Sequence, residues 1–312
     1  MSHIKLLRLL IEAEEETSAA STDSSAGSSE EQEIKNLLKQ DYTTFVNKLK
    51  VDVKDKKFQD AIKSLASKNK IAYKEMSIPV SQLKPTQNEI DVNKSLKFPL
   101  TNAGSAEQCM KGGTVFIAGK RIITAGGGKY IIDGHHRWSQ LCAMNPDAEI
   151  AAVDLSDIKD PFKALKATQL GIAADLGKID TQSVKGENLL AIDKSTLKNY
   201  VKKTILDDVA NVMMSSDKMK SFNPNKSQEE PAKDEKEPVA EGEMDGKKQK
   251  IANYIWSNVE KMKAKNQPVS GAPKRDFMPQ TDDAKNWKTH APDTQAIAER
   301  KILMKRAGIN KK

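Results

Sequence analysis

Between Lys129 and Met144 a short apolar run, Tyr130-Ile131-Ile132, passes through Asp133-Gly134 into His135-His136-Arg137-Trp138, and this stretch leaves the chain the fewest options. Trp138, Leu141, Cys142 and Met144 recur at helical spacing, so a strand ends at the glycine and a helix follows with His135 to Arg137 in its first turn. A helix N-terminus offers unpaired backbone N–H groups and a partial positive charge, and imidazole and guanidinium donors added to it make a seat for a phosphate. Gly134 lets the backbone approach that phosphate, while Asp133 is placed to cap the helix, to orient a histidine or to hold a metal. The plainer alternative is an Asp-Gly turn with two satisfied histidines. Two of the four histidines in the chain stand here side by side, and their density at a strand-to-helix junction favours the phosphate or metal role.

The surrounding segments read as a small sheet domain over residues 73–160. Met76 to Val80 is a short strand whose Pro79 marks an edge or a strand end. Ser81 to Ile90 is polar and rich in turn formers. Thr114–Ile117, Lys120–Thr124 and Lys129–Ile132 have strand length and strand composition, the first two joined hairpin-fashion by Ala118-Gly119. Gly126-Gly127-Gly128 lacks the spacing of a phosphate-binding glycine motif and reads as a flexible hairpin loop. The helix from His135 to Met144 leads through Asn145-Pro146 to a last strand, Ile150–Leu155. Strands and helices in this order predict an α+β fold with a small mixed sheet.

The flanks are poorer in apolar residues. Of 312 residues 38% are hydrophobic and 30% charged, with a mean hydropathy of -0.62, which predicts one modest core with long solvated flanks. The net charge of +8 allows contact with nucleic acid, but the lysines are spread along the chain. Two cysteines make neither a disulfide framework nor a metal knuckle, and no apolar run is long enough to span a membrane. Residues 1–16 read as an amphipathic docking helix; Arg8 and the acidic run Glu12 to Glu16 do not suit a secretory signal peptide. Residues 17–33 read as a flexible linker, and residues 34–72 as two amphipathic helices broken near Val51-Asp52-Val53. Residues 161–214 are a helical extension, 215–250 a disordered linker, 251–265 one amphipathic helix, and 266–312 a mostly disordered basic tail with a helix-forming stretch over Ile297–Ala307.

Two sets of motifs carry resemblances. Val80-Ser81-Gln82-Leu83-Lys84-Pro85-Thr86-Gln87, a strand end followed by Leu-x-Pro-x-Gln, and Asp133-Gly134-His135-His136-Arg137 resemble the ParB/sulfiredoxin superfamily, the second matching the Asp-Gly-His-x-Arg form of its free-serine-kinase and phage members. The resemblance implies a ParB/sulfiredoxin-like fold that binds ATP or CTP with Mg2+ for phosphoryl transfer or hydrolysis. Gly134, His135, His136 and Arg137 would hold phosphates, with Lys84 and Lys94 neutralising charge. Asp133 would orient a histidine or hold Mg2+ through water, and Glu89 would be the general base, with Asp133 and both histidines stabilising the transferred group. Sulfiredoxin chemistry is disfavoured because His135 stands where the nucleophilic cysteine belongs, and Cys142 reads as core. A partitioning clamp is disfavoured because no helix-turn-helix follows. Leu10-Ile11-Glu12 before Ala13 resembles the site at which large tailed phages trim capsid-targeted proteins. It implies cleavage after Glu12, a capsid scaffold or another protein as partner, and a place in the virion interior or the host cytoplasm. Two other functions fit the same residues: a DNA-binding or nuclease-like ParB-domain protein, and a non-catalytic internal virion or docking protein.

Overall fold

The computed structural model describes residues 29–68, 73–223 and 242–281. These residues form the expected α+β fold, with eleven α-helices and a six-stranded mixed sheet among them.

The sheet is built round β6 (Glu149–Leu155), whose run Ile-Ala-Ala-Val is buried on both faces, as a strand covered from both sides requires. β1 (Tyr73–Pro79) lies antiparallel along one side of it, from Tyr73 opposite Leu155 to Pro79 opposite Glu149. This is an edge, and Pro79, with no N–H to give the ladder, stands at its end. The other side of β6 is shared. β3 (Thr114–Val115) pairs parallel with Glu149 and Ile150, and β4 (Ile122–Ala125) pairs parallel with Ala152 to Leu155. β4 then turns into β5 (Tyr130–Asp133), its antiparallel partner, and β2 (Lys84–Pro85) closes the far edge parallel to β5.

The hairpin expected over Thr114–Thr124 is therefore not formed; only Ile117 and Lys120 bridge, and both segments spend their pairing on β6. A buried strand needs its open side filled along its length, and each short segment covers part of it. The hairpin is the next one, β4 to β5. Gly126, Gly127 and Gly128 turn it at φ of 69°, 71° and 85°. Its loop is pinned: the Gly128 N–H (2.9 Å) and the Thr124 hydroxyl (3.0 Å) both donate to Asp154, a buried carboxylate of β6.

Strand alternation sorts the side chains into two cores. Ile122, Ile131, Ile150 and Ala152 face one; Ile123, Ile132, Val153 and Leu155 face the other. Against the second pack α1 (Ser29–Leu38), α2 (Tyr42–Asp52), α3 (Lys56–Lys68) and α7 (Pro161–Leu176). Against the first lie α4 (Phe98–Thr101), α5 (Ala103–Met110), α6 (His135–Met144), α8 (Lys194–Thr204), α9 (Asp207–Ser215), α10 (Asp217–Ser221) and α11 (Glu243–Lys265).

Several boundaries differ from the sequence reading. The N-terminal helical segment contains an extra break before Asp41, whose carboxylate accepts the Thr44 N–H (3.0 Å) and caps α2. α1 starts inside the stretch read as linker, and α11 starts at Glu243, inside the stretch read as disordered. Residues 266–281, read as tail, pack as an extended strap across both layers: Val269 donates to the Pro85 carbonyl, and the Phe277 carbonyl accepts from Tyr42 and Gln169. The reason is tertiary, because a strap that completes hydrogen bonds of other elements carries no periodicity of its own. The docking helix expected over residues 1–16, its Glu12 site and the Ile297–Ala307 stretch lie outside the described residues. Among the described residues no helix is long and apolar enough to cross a membrane.

Candidate functional site

Strand β5 ends at Asp133, and Gly134 turns the chain into α6 with φ 99° and ψ 22°. A Cβ at this position would stand 2.5 Å from Cγ2 of Ile122 and 3.0 Å from Nη2 of Arg137, so the turn requires glycine on both conformational and steric grounds. Gly134 is also the N-cap, and no side chain caps the helix. Asp133 is occupied elsewhere: its Oδ2 accepts from Nη2 of Arg137 (3.1 Å) and from the Thr281 hydroxyl (2.7 Å). Behind the turn, Trp138 is fully buried and donates its indole N–H to the Val80 carbonyl (2.9 Å), while the Ser139 and Ser95 hydroxyls share a hydrogen bond of 2.8 Å. These ties hold the first turn of α6 at a cleft of about 370 Å3. Its walls are Asp133 to Arg137, Gln87 with Lys94, Gln182, and Arg275 with Met278 to Thr281.

Both imidazoles are engaged. His135, 3% exposed, accepts the Thr86 backbone N–H at Nε2 (3.1 Å), and His136 accepts the Asp91 N–H at Nε2 (3.2 Å). Burial, then the charges of Arg275 and Arg137, push the His135 pKa down to about 3. Burial, then Arg275, His135, Lys94 and Arg137, push that of His136 down to about 2. Each ring is thus neutral near pH 7, with a single lone pair that a backbone donor already uses. As placed, the two histidines are ties between α6 and the segment after β2, and neither has the spare lone pair that a general base needs.

The cations come from three parts of the chain. Arg137, on α6, pairs with Asp133 at the end of β5. Arg275, from the strap, is 7% exposed; its Nη2 donates to Oε1 of Gln182 (2.9 Å) and its Nη1 lies 3.1 Å from Nδ1 of His136. Nζ of Lys94 donates to the same Gln182 oxygen (2.6 Å). Lys84, in contrast, is exposed on β2 and stands outside the cleft walls. Glu89 also stands outside them, and its Oε2 accepts the Arg275 backbone N–H (3.3 Å).

Among the described residues the one carboxylate in the cleft walls is Asp133, and no three His, Cys, Asp or Glu side chains converge on a metal-sized site. A single carboxylate, itself held by Arg137 and Thr281, does not make the donor set of a caged metal. Burial pushes the Cys142 thiol strongly up and that of Cys109 to about 11, so both behave as core side chains.

Of the residues singled out in the sequence, the structure brings Lys94, Asp133, Gly134, His135, His136 and Arg137 together and leaves Lys84 and Glu89 out. Sequence reasoning missed Gln182, Arg275 and Thr281. The one trace of the strap is apolar Phe277-Met278 set between prolines 273 and 279 in an otherwise polar tail. No protein-family model, curated protein or solved structure matches this chain.

Proposed function

We propose that this chain binds the phosphates of a nucleotide, ATP or CTP with Mg2+, in the cleft at the head of α6. The observation that carries the reading is the gathering of Lys94, Arg137 and Arg275 round an uncapped helix N-terminus whose two histidines are held neutral. Backbone N–H groups of the first turn and the helix dipole favour an anion there, and guanidinium groups supply charge-assisted hydrogen bonds. Gly134 keeps the approach to those N–H groups clear of a side chain. Each histidine retains one ring N–H that can donate to a phosphate oxygen without a change of protonation. Mg2+, where present, would neutralise charge on the phosphates, and Asp133 is the residue within the cleft to meet its waters.

Binding is better supported than phosphoryl transfer or hydrolysis. Transfer needs a base for the attacking hydroxyl or water, and Glu89 stands outside the cleft while both imidazole lone pairs are in use. The test is calorimetric titration of the full chain with ATP, CTP and their diphosphates, with and without Mg2+, beside Arg137→Ala. Wild type should bind, and the variant should bind about 10- to 100-fold more weakly, as expected for the loss of a charged hydrogen-bond donor. No binding of any of the four by wild type sinks the proposal.

A further inference from the structure

Behind the cleft, outside its walls, lies a buried carboxylate that the phosphate-binding reading does not use. Asp91 is 2% exposed, and its side chain accepts three backbone N–H groups. Oδ1 takes those of Asn93 (2.8 Å) and Lys94 (3.2 Å), at the start of a π-helical turn over Asn93–Lys97, and Oδ2 takes that of Lys185 (3.2 Å). Lys94 and Gln182, whose side chains meet in the cleft, therefore stand on segments tied to the two oxygens of one carboxylate. The backbone of Asp91 serves the same place. Its N–H goes to Nε2 of His136, and its carbonyl accepts the Ser95 hydroxyl (2.9 Å), which is joined to Ser139 of α6.

The chemistry of this position requires aspartate. Asparagine makes a turn over the next two residues as readily, so Asn93 and Lys94 alone would be served by either side chain. The third donor decides the matter. An amide has a single acceptor atom, and its other side would present NH2 to a backbone N–H. The Lys185 bond also extends an attachment toward the cleft. Residues 187–189 are held to residues 90–92 by backbone bonds, from the Val92 N–H to the Glu187 carbonyl (3.0 Å) and from the Leu189 N–H to the Ile90 carbonyl (2.7 Å). The bond from Lys185 to Asp91 carries this attachment two residues beyond Glu187, toward Gln182. There Oε1 of Gln182 receives Nζ of Lys94 (2.6 Å) and Nη2 of Arg275 (2.9 Å).

Resting on the phosphate-binding reading, we infer that Asp91 is a positioning residue of the cleft: it fixes Lys94 and the Gln182 segment to one carboxylate and, through Gln182, fixes where the Arg275 guanidinium stands. Its effect is preorganisation. Cations held in place before an anion arrives lose little freedom on binding it, whereas cations on slack segments must be ordered as it binds, which weakens affinity.

The experiment is calorimetric titration of the full chain with ATP and with CTP, each with Mg2+, beside amide hydrogen exchange without ligand. The chains compared are wild type, Asp91→Asn, Asp91→Ala, Gln182→Ala, Asp91→Asn combined with Gln182→Ala, and Asn258→Ala at the far end of α6. In Asp91→Asn the Lys185 amide should exchange about 10-fold faster or more while the Asn93 and Lys94 amides keep their protection. Affinity should fall about 3- to 10-fold in Asp91→Asn and further in Asp91→Ala. Asp91→Asn keeps two of the three bonds and remains the deciding variant where Asp91→Ala does not fold. Gln182→Ala should lose a similar amount, and the combined variant no more than the weaker-binding of its two parents, because both changes release the same segment. Asn258→Ala, which costs stability away from the cleft, should keep wild-type affinity. Unchanged Lys185 exchange or wild-type affinity in Asp91→Asn overturns the inference and leaves the phosphate seat standing. So do additive losses in the combined variant, or an equal loss in Asn258→Ala. No binding of either nucleotide by wild type defeats the seat and the inference together.

Discussion

The two ends of α6 each open on a cavity, about 370 Å3 at the head and about 450 Å3 at the foot, yet the polar atoms around them are matched in opposite ways. At the foot, the helix ends in carbonyl groups, and donors from other elements meet them: the Tyr254 hydroxyl donates to Met144 (3.0 Å) and the Asn258 amide to Ala143 (2.9 Å). Lys218 there is paired with Asp147. At the head, where the helix presents N–H groups, the neighbouring elements supply further donors, the Arg275 guanidinium and the Lys94 ammonium. The larger cavity is the less informative one. What distinguishes the two spaces is the polarity of the helix end that faces each, N–H groups at the head and carbonyl groups at the foot, and the kind of group that meets them.

Acidification should separate the two ends most. His135 and His136 have folded pKa values pushed down to about 3 and about 2, below the ordinary histidine value, so the unfolded chain takes up protons first as pH falls. Stability is therefore full above about pH 6.5 and declines as pH falls below it, because both rings resist protonation in the fold. Denaturant melts at pH 7 and pH 4.5 measure the loss, and hydrogen exchange should show the Thr86 and Asp91 amides opening before α11. Equal opening at the foot, which has no histidine, would break the comparison.

Next in size is Gly134→Ala. A left-handed φ and a Cβ placed against Ile122 should together cost about 2–4 kcal/mol in a chemical denaturation curve. A cost under about 0.5 kcal/mol would mean that the turn relaxes freely and the head is not rigid. The smallest effect is expected at the foot. Asn258→Ala leaves the Ala143 carbonyl without its donor and should cost about 1–3 kcal/mol while leaving the affinity for ATP or CTP unchanged. A change in that affinity would couple the two ends through α6.

The site was half legible. Lys129 to Met144 reveals its strand, its glycine and its helix because all three signals are local, and the observed α6 has the bounds that its apolar spacing implies. Pro79 likewise marks the end of an edge strand from its own chemistry. The partner of β4 was misread because Ala118-Gly119 looks like a hairpin turn, whereas pairing was decided by the need to cover β6. Arg275 was invisible for a related reason. Its place beside His136 depends on a strap with no repeat, anchored by the chemistry of distant residues such as Tyr42 and Gln169.

Local pattern thus suffices for the element types, the α+β class and the cationic turn at Gly134 to Arg137, since periodicity, glycine conformation and helix polarity act over a few residues. The tertiary structure decided which lone pairs the histidines have left, which lysine reaches the cleft, and that an arginine 138 positions beyond Arg137 joins it. Those outcomes turn on which donors and acceptors meet when distant segments pack, and no short stretch of chain carries that information.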